Sequence, residues 1–173
     1  SPRFTDHGDG TVIARLTGLL WTQDANVMTT RDPSFDTDGA RDGKVLWTRA
    51  LDYVARLNRE CFLGNRDWRL PNLRELASLI DHEQANPCLS VGHPFLKVQP
   101  AYFSSTSYEL SRVWGVRFSN LHANARSGEI TDLAAKRTDP YPVWPVGTAG
   151  RGAFKVPRTG QTRGLYAGAD RPL

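Results

Sequence analysis

The chain is short of the residues that most protein chemistry needs. Among 173 residues there are two cysteines, one methionine and four histidines. Cys61 and Cys88 each stand alone, so neither a Cys-x-x-Cys redox pair nor a thiolate zinc site can be built from them. His7, His82, His93 and His122 are scattered through unrelated segments with no His-x-x-x-His spacing, which argues against a catalytic metal. Ser104-Ser105-Thr106 lacks the glycines of a nucleophile elbow and reads as hydroxyls pairing across strands. No apolar run approaches the ~20 residues of a membrane-spanning helix. Charge of one sign is scarce until late in the chain. The net charge is +4, yet Lys136, Arg137, Arg151, Lys155, Arg158, Arg163 and Arg171 are opposed from Lys136 onward only by Asp139 and Asp170. That local excess is larger than the net value, so the rest of the chain is close to neutral and no nucleic-acid partner is expected.

What is present is a globular composition: 39% hydrophobic residues, 23% charged residues and five tryptophans, enough for one domain with a core. Residues 3–6 and 11–14 flank His7-Gly8-Asp9-Gly10, the pattern of a β-hairpin, and Leu16 to Trp21 supplies another turn and strand. Thr48 can cap a helix whose apolar face is Leu51, Val54, Ala55 and Leu57, with Gly64 as its stop. A second helix is expected from Pro71 to about His82, with Leu73, Leu76, Leu79 and Ile80 on one face. After an irregular stretch the period becomes strand-like over 102–108 and 112–118. In the latter, Arg112, Trp114, Val116 and Phe118 share one face. A short strand at 129–131 and an edge or bulged strand at 141–146 follow, the latter limited by two prolines. The expected fold is α+β, two helices on a curled, mainly antiparallel sheet, in a domain over 1–147. Residues 148–173 read as a basic Gly/Pro/Thr-rich linker or tail.

Cys61 ends the first expected helix and Cys88 follows the second. Antiparallel packing would join them in a disulfide suited to an oxidising compartment and worth about 3 kcal/mol; two free thiols are the alternative. Asp32, Asp36, Asp38 and Asp42 crowd a Gly-containing loop. Asp36, Asp38 and Asp42 are candidate calcium ligands, because calcium takes six to eight oxygens. Turn-forming aspartates are the plainer reading, and the bidentate glutamate of an EF-hand is missing.

Read in order, Gly8-Asp9-Gly10-Thr11-Val12, Leu16-Thr17-Gly18-Leu19-Leu20-Trp21, Leu57-Asn58, Asp67-Trp68-Arg69-Leu70-Pro71-Asn72, Glu75-Leu76, Ser104-Ser105-Thr106 and Val143-Trp144-Pro145-Val146 resemble one family. It is the C-terminal domain family of the Legionella collagen-like adhesin. Tyr102-Phe103, where the family usually has an aromatic pair and a tryptophan, is a departure, as is Val146-Gly147 at the end. The resemblance implies a C-type-lectin-like fold and a non-catalytic adhesion module of a bacterial protein: secreted, periplasmic or at the cell surface. The partner it implies is a glycan or a host or matrix surface, with no cofactor unless calcium. Arg112, Arg117, Arg126, Lys136 and Arg137, with Asn120, His122 and Asn124, fall where lectin-like relatives bind ligands, and arginine forks suit sulfate and carboxylate. The alternatives are an enzyme of the formylglycine-generating or sulfatase-modifying type and a variable display domain with a protein partner. Self-association, as in adhesin trimers, is compatible with any of these. Residues 156–162 resemble the link that precedes a further copy in tandem members.

Overall fold

A computed structural model describes residues 2–36, 39–119 and 128–149, with the backbone alone for 131–135. The expected hairpin is β1 (Phe4–Asp6) and β2 (Thr11–Ala14), followed by β3 (Leu19–Thr22). The turn between β1 and β2 is tied by Asp side chains. Asp6 Oδ1 accepts from the Gly8 amide, and Asp9 Oδ1 accepts from both the amide and the hydroxyl of Thr11. Those Thr11 bonds lower the Asp9 pKa. Helix α1 (Val27–Arg31), strand β4 (Lys44–Val45) and helix α2 (Trp47–Arg59) come next, then α3 (Leu73–Ala77). The C-terminal part holds β5 (Ala101–Ser107), β6 (Arg112–Arg117), β7 (Ile130–Ala135), β8 (Tyr141–Pro142) and β9 (Val146–Thr148).

The protein is mixed α+β and its strand ladders are antiparallel, but the single curled sheet expected from the pattern is not found. Among the described residues the strands form three sheets: β1-β2-β3-β9, β5-β6-β7 and the small pair β4-β8. The prolines explain the division. Residues 141–142 pair with β4, residues 143–145 leave the ladder, and Val146 starts a new pairing with β3. One stretch read as a single edge strand therefore serves two sheets.

Strands with both faces covered separate two cores. Leu20, Phe103 and Val113 face a core filled by α2, through Trp47, Ala50, Leu51, Tyr53, Val54 and Leu57. Their neighbours Trp21 and Tyr102, with Val116 three residues beyond Val113, face the other core, which holds Leu76, Leu79, Ile80, Leu89 and Phe95. Alternation along a strand sends adjacent side chains to opposite faces, so α2 and α3 lie on opposite sides of the strand layer. Trp144 is the hub of the second core, with Trp21, Phe95, Tyr102 and Phe118 at ring-centroid distances of 5.3, 4.8, 5.0 and 5.7 Å. Its indole N–H donates to Thr22 O at 3.0 Å.

Two helix boundaries differ from expectation. α2 begins one residue before Thr48, with Leu46 at the cap position and no side-chain cap. α3 is five residues long and ends before Leu79 and Ile80, which are buried from the turns that follow it.

The disulfide is also absent. Cys61 and Cys88 are both free and lie apart. The expectation assumed two antiparallel helices side by side, whereas α2 and α3 pack on different cores. Cys61 follows α2 in a left-handed conformation (φ 52°) beside Phe62 and Leu63, which pack on the first core. Cys88 is buried in the second, its amide donating to Phe118 O at 2.8 Å.

Candidate binding surface

The ordered family motifs converge on one hydrogen-bonded joint. Asn58, late in α2, clamps Trp68: its Oδ1 accepts from the Trp68 amide and its Nδ2 donates to Trp68 O, both at 2.7 Å. The Trp68 indole donates to Phe62 O at 2.8 Å. Asp67 accepts from the Thr148 amide, and Arg69 and Val146 exchange backbone bonds of 2.9 and 3.0 Å, which ties this segment to β9. The Arg69 guanidinium then forks onto Glu75, both N–H···O distances being 2.6 Å. Glu75 Oε2 also accepts from the Asn72 amide, and Asn72 Oδ1 accepts from the Glu75 amide. This capping box starts α3.

Ser-Ser-Thr completes the joint. Ser104 Oγ donates across to Trp114 O at 2.6 Å, Ser105 N donates to Pro71 O, and Thr106 Oγ1 accepts from Leu73 N at 3.0 Å. These hydroxyls fasten β5 to β6 and to the start of α3, in line with the cross-strand reading. An open cavity of about 220 Å³ lies between α2 and this joint, lined by Leu51, Val54, Ala55, Asn58 and residues 68–70. Asn58 and the Arg69 guanidinium nitrogens that reach Glu75 are already engaged by the protein itself.

The acidic loop is similarly committed. Asp36 accepts from the amides of Gly39, Asp42 and Gly43, and Asp42 accepts from Lys44 N at 3.0 Å and pairs with the Lys44 ammonium. Asp32, nearly buried, pairs with Arg31 and Arg56. Among the described residues no three His, Cys, Asp or Glu side chains group as a metal site. Asp38 lies outside the described residues, so the full expected calcium set is not seen together. A cation bound by Asp36 and Asp42 would share their oxygens with backbone amides.

Of the basic residues expected to form one patch, those described do not all share a face. Arg112 and Arg117 are at opposite ends of β6 and, by alternation, on opposite faces. Lys136 is buried: its Nζ donates to Ser107 Oγ at 2.8 Å and sits 4.6 Å from the Trp47 ring centroid, and burial lowers its pKa. It belongs to the α2 side of the sheet, because Ser107 pairs with Val113, which faces that core. Arg137 is exposed in the turn that follows. Asn120, His122, Asn124 and Arg126 lie outside the described residues.

At the tip of the β5–β6 hairpin, Tyr108, which its sequence setting already marks as an aromatic contact residue, is joined by Leu110 and Trp114. Tyr108 is 50% exposed and Leu110 80% exposed. Trp114 is half-buried and meets Tyr108 edge to face at 5.0 Å. Trp114 shares its face of β6 with Arg112. The signal was available in Tyr108 and Trp114, but alternation placed Trp114 in the core along with Val116 and Phe118. Those two are fully buried, whereas the Arg112–Trp114 end of the same face is open.

The family model of the Lcl C-terminal domain matches residues 10–147. The chain belongs to that family. No curated protein and no solved structure matches it. β1, at residues 4–6, precedes the matched region yet pairs with β2 throughout its length, so the Lcl-type domain here includes it. Among the described residues no helix is long and apolar enough to cross a membrane.

Proposed function

We propose that this Lcl-type domain is a non-catalytic binding module of a secreted or surface-anchored bacterial protein, with a C-type-lectin-like fold and an acidic glycan as its ligand. The observation that carries the reading is the open end of the β5-β6-β7 sheet, where Tyr108, Leu110, Arg112 and Trp114 follow one another around the hairpin and the turn that holds the exposed Arg137 lies beside them. Arg137 follows Lys136, whose amide donates to Ser111 O at 2.8 Å, and this brings the turn alongside the start of β6. Aromatic faces with arginines suit a ring-shaped, charged ligand better than a small substrate undergoing reaction. The family motifs, in contrast, are spent on the internal joint, where Asn58, Arg69, Asn72, Glu75 and Ser104 bond to other parts of the protein.

The formylglycine-type alternative needs a reactive cysteine pair, and here burial raises the Cys88 pKa while Cys61 lies in the other half of the molecule. This reading needs no cofactor. Calcium at Asp36 and Asp42, with Asp38, would act as a loop clamp, and a melting-temperature difference between calcium and chelator would reveal it.

The test is to pass the full chain over sulfated and unsulfated glycans at low and high salt. Binding to sulfated or carboxylated chains that weakens as salt rises supports the proposal, since exposed charge pairs are screened beyond about 10 Å at 0.1 M. Retention of no glycan at any salt would overturn it.

A further inference from the structure

We infer that Tyr108 and Trp114 form a stacking subsite for a pyranose ring, so that sugar rings and not acid groups alone are recognised at this surface. The inference rests on the glycan-binding reading above and deepens it. A pyranose is an amphipathic disc whose C–H faces carry partial positive charge, and an aromatic face carries the complementary negative quadrupole. The edge-to-face contact of Tyr108 with Trp114, at 5.0 Å and 75°, uses one ring face only. Half of the Tyr108 surface remains open to solvent, with Leu110 more exposed still. The pair is held firmly for a hairpin tip: Tyr108 N donates to Arg112 O at 3.0 Å, and the Trp114 carbonyl is held by Ser104 Oγ at 2.6 Å. A backbone fixed at both residues, with the rings already in mutual contact, leaves less freedom to lose when a ligand arrives. Arg112 on the same face and Arg137 in the adjacent turn supply cations for a sulfate or carboxylate on the glycan, beside the exposed carboxylate of Glu109 at the tip.

The molecule supplies its own reporter. Trp21, Trp47, Trp68 and Trp144 are all buried, so of the five tryptophans only Trp114 is partly open to a solution quencher. A size-defined heparin octasaccharide is titrated against the full chain, binding being read by calorimetry and the subsite by acrylamide quenching of tryptophan emission. The expected result is binding accompanied by at least a twofold fall in the quenching constant. Tyr108→Ala should weaken binding about tenfold, as loss of an aromatic anchor does, without changing the salt dependence. Tyr108→Phe should keep the affinity, and Arg137→Ala should flatten the salt dependence while leaving protection intact. Octasaccharide binding with no protection of Trp114, or equal affinity for Tyr108→Ala, would sink the stacking subsite and leave the glycan reading standing. No binding to the octasaccharide or to any other acidic glycan would sink both. Protection that rises with protein concentration and not with sugar would overturn the inference and assign the pair to contact with a second copy of the chain.

Discussion

Arg69 grips Glu75 through two parallel 2.6 Å hydrogen bonds, and the carboxylate it holds is completely buried. The same carboxylate closes the capping box of α3, so one side chain both neutralises a cation and starts a helix. A bidentate fork suits arginine and not lysine, which accounts for the residue type found between Trp68 and Leu70.

Breaking that pair on one side should be expensive. Glu75→Gln leaves a largely covered guanidinium without its counter-charge and should cost about 3 kcal/mol, read from urea unfolding of the variant. Arg69→Met together with Glu75→Leu should cost less than the sum of the two single changes. Additive costs would mean that the two residues act independently.

His93 gives a pH signature. Its ring lies 6.0 Å from Phe95, and burial lowers its pKa below the ordinary 6.5. Below pH 6.5 the unfolded chain takes up the proton before the folded one does, so stability should fall as pH drops through and below that value. The loss stops once the folded-state pKa is passed. His93→Phe should remove this component from a plot of melting temperature against pH between about 4 and 7.

Thiol chemistry tests the separation of the cysteines. In native protein, Ellman's reagent should find Cys61 promptly and Cys88 only on unfolding, because Cys88 is buried and its pKa is raised. Reductant should leave the melting temperature unchanged. A drop equivalent to about 3 kcal/mol would instead reveal a bridge.

Gly43 tests the acidic loop. Its φ is +81°, and a Cβ there would come within 2.2 Å of Asn26 Oδ1 and 2.9 Å of Thr29 Cγ2. Its amide also donates to Asp36 Oδ2. Gly43→Ala should destabilise by about 2 kcal/mol or more, through backbone strain and collision together. Asn26→Ala in the same chain should recover part of that loss, measured by denaturant unfolding.

Much of the scaffold was legible because local signals agreed with the fold. The Gly- and Asp-rich turn between β1 and β2, the apolar face of α2 and the period change at β5 are local features, and each has its counterpart in the structure. The misreadings came where a residue's fate depended on distant packing. Leu79 and Ile80 continue a helical spacing, but are buried from turns that α3 does not reach. The disulfide rested on helices being neighbours, which spacing cannot show. Lys136 looked like surface charge, because nothing near it in sequence announces that Trp47 and Ser107 will enclose it. Trp114 failed the other way, since alternation assigns a face but not how far along a strand that face is covered.

Phe4, Ala14, Leu19 and Thr148 stand in one row across the four-stranded sheet, so β1 begins at the same edge of the fold at which β9 ends. Three strand spacings separate the two points, roughly 14 Å. Flanking segments joined there would hold the domain as a pendant, by one side only. Tension passed from one flank to the other would load that row first, across the ladders of all four strands.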